Sequence, residues 1–118
     1  MKGYLNFDMI GRNNNEAKPT HVVYFYTEAH PAFGDWLKND IKKYNLNLAP
    51  DYRPWDNPVG GSDSFAKIGI PIIWYHTDGH PDYHQPSDHA DRINWDKVVN
   101  ITKASFLNMW YMANEKDF

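Results

Sequence analysis

Residues 76–89, His76-Thr77-Asp78-Gly79-His80-Pro81-Asp82-Tyr83-His84-Gln85-Pro86-Ser87-Asp88-His89, concentrate four of the chain's six histidines with three aspartates. Neutral imidazole and carboxylate are the ligand pair of zinc and related borderline metals. The segment follows a strand-like run, Ile70 to Tyr75, and open α/β sheets place their ligands beyond the carboxyl ends of strands. A solvated polar loop, with its histidines capping backbone groups, is the competing reading. A spacing of four would align His76, His80 and His84 on one helix face, but Gly79, Pro81 and Pro86 exclude a helix there. The second chemical residue is Asp8, set in the apolar run Tyr4 to Ile10. A buried carboxylate without a partner is costly, so it is expected to meet a cation, a metal or several backbone donors. Otherwise it faces solvent or caps the strand end beside Gly11.

The elements that must position these residues are legible in outline. Tyr4 to Ile10 and His21 to Thr27 read as strands, the second rich in β-branched and aromatic residues. The Asn-rich connector between them suits an irregular hairpin. Pro31 to Tyr44 reads as a helix, with Phe33, Leu37, Ile41 and Tyr44 on one face and proline in the first turn. Leu46 to Leu48 could form a short edge strand, and Asp51 to Asp63, with Pro54, Pro58, Gly60 and Gly61, reads as irregular. Ser62 or Asp63 caps a short helix through Lys67, which Gly69 stops. Asn94 caps a last helix whose Trp95, Val98, Val99, Thr102, Phe106, Met109, Trp110 and Ala113 share one face, so both tryptophans are expected in the core. Strands mixed with helices of this size give a layered α/β domain.

The composition sets limits. The 118 residues allow one domain. A hydrophobic content of 42%, with 16% aromatic, argues against disorder. Twelve Lys and Arg against fifteen Asp and Glu leave a charge of −3, without the basic field that nucleic-acid binding needs. There is no cysteine, so disulfides, thiolate zinc sites and cysteine nucleophiles are excluded, while the compartment stays undetermined. No run of residues is long and apolar enough to span a membrane, and no signal-like apolar block opens the chain. Met1-Lys2-Gly3 leads straight into a strand-like segment, as at an artificial start codon or a truncation.

Three blocks together resemble a known family. They are Asn6-Phe7-Asp8-Met9-Ile10-Gly11-Arg12, then Gly60-Gly61-Ser62-Asp63 with Phe65 and Gly69-Ile70-Pro71, then Asp82-Tyr83-His84-Gln85-Pro86-Ser87-Asp88. In this order they resemble the zinc aminopeptidases, co-catalytic dizinc exopeptidases that include bacterial leucyl aminopeptidases and, more distantly, glutamate carboxypeptidases. The resemblance covers nearly the whole chain and implies a phosphorylase/hydrolase-like fold, here a partial three-layer α/β/α sandwich with a mixed sheet. It implies that Asp8 binds one of two zinc ions and His84 the other. It further implies that Asp88 orients a neighbouring group and that Tyr83 stabilises an oxyanion. Gly60, Gly61, Ser62 and Asp63 would shape the substrate pocket for a peptide.

The departures from the family pattern matter equally. The family's dizinc site needs an H-x-D pair, whose aspartate bridges the metals, and a Glu-Glu pair supplying a ligand and the general base. Both precede the Asp8 block in family order, yet only seven residues precede Asp8 here and none is His, Glu or Asp. The only glutamates are Glu16, Glu28 and Glu115. His76-x-Asp78 and His80-x-Asp82 match H-x-D by spelling but lie beside the C-terminal block. The pocket loop reads Ser62-Asp63-Ser64-Phe65, where relatives usually have Ser-Asp-His and further residues before the Phe. Residues 1–118 therefore read as the C-terminal half of an aminopeptidase domain, inactive alone, because catalytic zinc uses three protein ligands. Family members are often exported, although this chain carries no signal peptide. With half a domain missing, Tyr4 to Ile10, His21 to Thr27 or a helix face should be exposed, so self-association is expected. The other readings are a mononuclear metal-binding protein built on His76, His80, His84 and nearby aspartates, or a binding module using the aromatic loop around Tyr52 and Trp55.

Overall fold

The computed structural model describes residues 2–55 and 63–118, so Gly60, Gly61 and Ser62 lie outside the described residues. Four strands form one mixed sheet: β1 (Tyr4–Phe7), β2 (His21–Thr27), β3 (Ala49–Trp55) and β4 (Ile72–His76). Their spatial order is β1-β4-β2-β3. The first pair, β1 with β4, is parallel and so is β2 with β3, while β2 and β4 run antiparallel. The helices are α1 (Ala32–Tyr44), α2 (Asp63–Ala66) and α3 (Trp95–Asn114).

A single core lies between the sheet and the two long helices. Val22, Tyr24, Ile73 and Tyr75 project from one sheet face onto Phe33 and Leu37 of α1 and Ile101, Ala104 and Met112 of α3. On the opposite face Trp74 stacks on both Phe25 and Trp55, which tilt against each other, and α2 sets Phe65 on Tyr4 with centroids 4.1 Å apart. The layered mixed α/β architecture read from the sequence is therefore present. Gly34 lets α1 approach the sheet closely, since a Cβ there would stand 3.0 Å from the Tyr26 hydroxyl.

Several expectations are corrected. The first two strands do not form a hairpin, because β4 inserts between them. His21–Thr27 is thus an interior strand and not an exposed edge. The strand beside β2 at the sheet edge is Ala49–Trp55, later than the expected Leu46 to Leu48 and overlapping the stretch Asp51 to Asp63 that reads as irregular. The reason is the pairing side. Ala49 N–H donates to Thr20 C=O, so with the two-residue period of a strand Pro50 and Pro54 fall where the backbone faces outward. A proline costs an edge strand nothing there. Tyr52 and Trp55 consequently belong to β3, Tyr52 against Tyr24 and Trp55 against Phe25 and Trp74, and form no loop platform.

The last helix is oriented contrary to its apolar pattern. Its cap is as expected, with the Asn94 side chain accepting from Lys97 N–H. The face turned to the core, however, is Lys97, Ile101, Ala104, Ser105, Asn108 and Met112. Trp95, Val99, Phe106, Met109 and Trp110 are between 49% and 62% exposed, so neither tryptophan is a core residue. Small Ala104 and Ser105 allow a close approach. The polar members of the inner face are satisfied: Asn108 accepts from the Tyr75 hydroxyl, and Lys97 donates to the carbonyls of Arg12 at 2.9 Å and His21 at 3.0 Å.

Candidate functional site

Because β1 and β4 are parallel neighbours, the segments leaving them, 8–13 and 77–92, emerge at the same end of the sheet. They are stitched together there. His76 Nδ1 lies 2.6 Å from the Asp8 carbonyl, Thr77 Oγ1 donates to the Met9 carbonyl at 2.5 Å, and Asn14 Nδ2 donates to the Gly79 carbonyl at 2.5 Å. Of the four non-glycine residues with positive φ among the described residues, Asn45 ends α1, while Met9, Asp78 and His84 all lie in these two segments. Unfavourable left-handed backbone at a methionine persists only where surrounding bonds over-determine it. The Thr77 bond to the Met9 carbonyl is one such constraint.

Arg12 is the centre of the site's electrostatics. Its guanidinium reaches Asp82 at 2.6 Å and Asp88 at 3.2 Å, with its own side chain only 10% exposed. Asp82 also accepts from the Ser87 hydroxyl at 2.5 Å and lies 3.5 Å from Arg92. The Ser87 hydrogen bond, followed by that of Arg12, holds the Asp82 carboxyl below its ordinary value. Asp88 further faces His80 Nε2 at 3.9 Å. Two carboxylates six residues apart are thereby tied to one rigid fork, which closes the turn that carries Tyr83 and His84.

The residues singled out from the sequence fall on this rim unequally. Asp8 lies just beyond β1 and is exposed, in contrast to the burial expected from its apolar neighbours. Only its backbone is engaged, donating to Tyr75 C=O and accepting from His76. His84 is exposed, with φ of 56°, and its ring stacks on Tyr83 at 3.9 Å. Asp63 opens α2. The three histidines of the mononuclear reading have separate surroundings: His76 on the Asp8 carbonyl, His80 buried beside Asp88, His84 under Tyr83. Among the described residues no three His, Asp or Glu side chains are grouped to hold a metal ion. The motifs that contain Arg12, Asp82 and Ser87 assign these three residues no role of their own. The signal was present, because a carboxylate pair flanking a candidate ligand requires a cation, and Arg12 closes the Asp8 block.

A profile of peptidase family M28 matches residues 1–109. The chain belongs to peptidase family M28. In fold, this M28 chain is similar to the LapA aminopeptidase of Legionella pneumophila, with 25% identity and a TM-score of 0.72 over 99% of this chain and 32% of that one. A second crystal structure of LapA from that organism aligns with the same identity and TM-score, over 98% of this chain and 33% of the other. The M28 chain thus spans about a third of the length of those solved proteins. None of the curated proteins matches it. No helix among the described residues is long and apolar enough to cross a membrane.

The donors on the rim suit zinc in kind but not in number. The two ligands that the resemblance implies, Asp8 and His84, are both exposed, but among the described residues no third His, Asp or Glu side chain is grouped with them. A catalytic zinc takes three protein ligands and an open position, so the described residues do not by themselves make a zinc site.

Proposed function

We propose that residues 1–118 form the C-terminal part of a zinc-dependent aminopeptidase domain and do not hydrolyse peptides on their own. The observation that carries this is the rim at the end of β1 and β4 in an M28 chain. It presents Asp8 and His84 to solvent with no third ligand grouped beside them among the described residues. In the larger domain Asp8 supplies one ligand to one zinc ion and His84 one ligand to the other. The H-x-D bridge and the Glu-Glu ligand and base come from elsewhere in that domain. Arg12, through Asp82 and Asp88, holds the turn so that His84 projects outward. Tyr83, stacked on His84, has its hydroxyl available to donate to an oxyanion. The family resemblance of Gly60, Gly61, Ser62 and Asp63 supports assigning them to the loop that shapes the pocket for a peptide substrate in the larger domain.

The pure chain, incubated with zinc and a chromogenic aminoacyl amide, is expected to release no product above the protein-free rate. Calorimetric titration is expected to show no tight stoichiometric zinc binding. Zinc-dependent release of the N-terminal residue by this chain would overturn the reading. So would tight binding of one zinc that survives both Asp8→Ala and His84→Ala, since that result requires a separate metal site.

A further inference from the structure

Residues 80–88 form successive turns: Tyr83 N–H donates to the His80 carbonyl, Gln85 N–H to Asp82 and Asp88 N–H to Gln85. His80 opens this run and Asp88 closes it, and their side chains meet, with His80 Nε2 3.9 Å from Asp88 Oδ2. The imidazole is only 6% exposed, although the turns around it lie largely at the surface. Its Nδ1 is buried without a hydrogen-bond partner. Its ring stands edge-on to that of Tyr83, with centroids 6.3 Å apart and planes at 87°. The other oxygen of Asp88 goes to Arg12, at 3.2 Å. Asp88 is thus held from two segments, one on each oxygen.

We propose that His80 is a positioning residue: it holds the turn that presents Tyr83 and His84 by setting its Nε2–H toward Asp88 and its ring against Tyr83. A buried imidazole N–H without an acceptor is costly. The ring proton therefore belongs on Nε2, the nitrogen that faces the carboxylate, and Nδ1 is left bare. At 3.9 Å the contact is an oriented dipole on a charge and not a hydrogen bond. It orients the carboxylate and leaves Arg12 its charge-assisted bond. His84 has a φ of 56°, a backbone that a non-glycine residue keeps only where its surroundings over-determine it. Arg12 restrains the turn from the segment after β1. His80 restrains it from within, at Tyr83 and at Asp88, on either side of His84. The purpose of this contact rests on His84 being a metal ligand, whereas the contact itself is a property of this chain alone.

The test is a double-substitution cycle on the pure chain, read by amide hydrogen exchange at Tyr83 and Gln85, which neighbour neither substitution. His80→Phe keeps a ring and removes the Nε2–H, and it is expected to speed exchange at both amides at least about threefold. Asp88→Asn is expected to do the same. The two together should be no faster than the faster single, because His80 acts through Asp88. His80→Gln, whose amide can present an N–H to Asp88, should stay within about twofold of the parent. Nitrogen-15 spectra of the parent at about pH 8 are expected to place the His80 ring proton on Nε2. Parent-like exchange in His80→Phe, accelerations that multiply in the double variant, equal losses in Phe and Gln, or a ring proton on Nδ1 would each overturn the proposal. The tautomer and His80→Gln decide it even where His80→Phe does not fold. None of these readouts involves zinc or a peptide, so the ligand role of His84 stands or falls separately, by zinc titration.

Discussion

Replacing Lys97 with methionine is expected to lower stability at neutral pH and to remove a rise in stability between pH 8 and 10 expected of the parent chain. Lys97 is 2% exposed and donates to two backbone carbonyls, Arg12 and His21, so it pins the site-bearing segment after β1 to the start of β2. Methionine keeps the stem but leaves both carbonyls without that donor, at a cost of about 1–3 kcal/mol at pH 7. Burial lowers the Lys97 ammonium from its ordinary 10.5 to about 8. Below pH 8 native and unfolded chains both hold the proton, and this group adds no slope. Between pH 8 and 10.5 the unfolded chain still holds it and the native chain does not, so stability rises with pH. Tyr24 and Tyr75, pushed well above their ordinary 10.0 by burial, act in the opposite sense. Above pH 10 the unfolded chain loses phenolic protons that the native chain keeps, and stability falls. The thermal midpoint of the parent should therefore pass through a maximum near pH 10, whereas that of Lys97→Met should stay level from pH 8 to 10. A rise of equal size in both would refute the assignment.

Replacing Arg12 with alanine is expected to lower the thermal midpoint by several degrees and to expose residues 77–92 to proteolysis. The substitution removes the shortest cationic contact of Asp82, leaving it Ser87 and the more distant Arg92, and releases Asp88 from the fork. Losing one partner of such a buried pair is destabilising. Arg12→Lys should recover only part of the loss, because one ammonium cannot reproduce a fork spanning two carboxylates. Asp82 is held below its ordinary 3.8, chiefly by Ser87 and then by Arg12. Its contribution is present above that value and lost as pH falls through the lower native one. Acid should thus loosen the turn in the parent below about pH 4, and Arg12→Ala should show a smaller acid-induced change. An unchanged proteolytic pattern in Arg12→Ala would count against the tether.

The elements set by local pattern were legible from residues alone. His21–Thr27 was read with its observed bounds, α1 to within one residue at its start, and the Asn94 cap at the right position. The three blocks were sufficient to identify the family, whose profile then matched residues 1–109. Misreadings arose where the outcome depends on a distant partner. Asp8 was expected to be buried because its neighbours are apolar, but β1 ends at Phe7, one residue before it. Pro54, with Pro58, Gly60 and Gly61, marks Asp51 to Asp63 as irregular, and only the side on which β2 lies makes Pro54 harmless in the strand Ala49–Trp55. The α3 sequence has two usable faces. The more apolar one was read as core, yet the sheet selected the face with small residues and with an asparagine that two buried tyrosine hydroxyls can satisfy.

By itself the sequence determined which residue types were available for chemistry. It carried the carboxylate, the imidazole, the tyrosine and the motif order that place the chain in peptidase family M28, and it lacked a Glu-Glu pair. Periodicity and caps act over a few residues, so they are written locally. The tertiary structure decided which of these groups share a rim and which apolar face is left open. Parallel pairing of β1 with β4 brings Asp8 beside a loop more than sixty residues away, and Arg12 becomes the tether for Asp82 and Asp88. Such pairings depend on the whole set of competing burials. No local pattern encodes them.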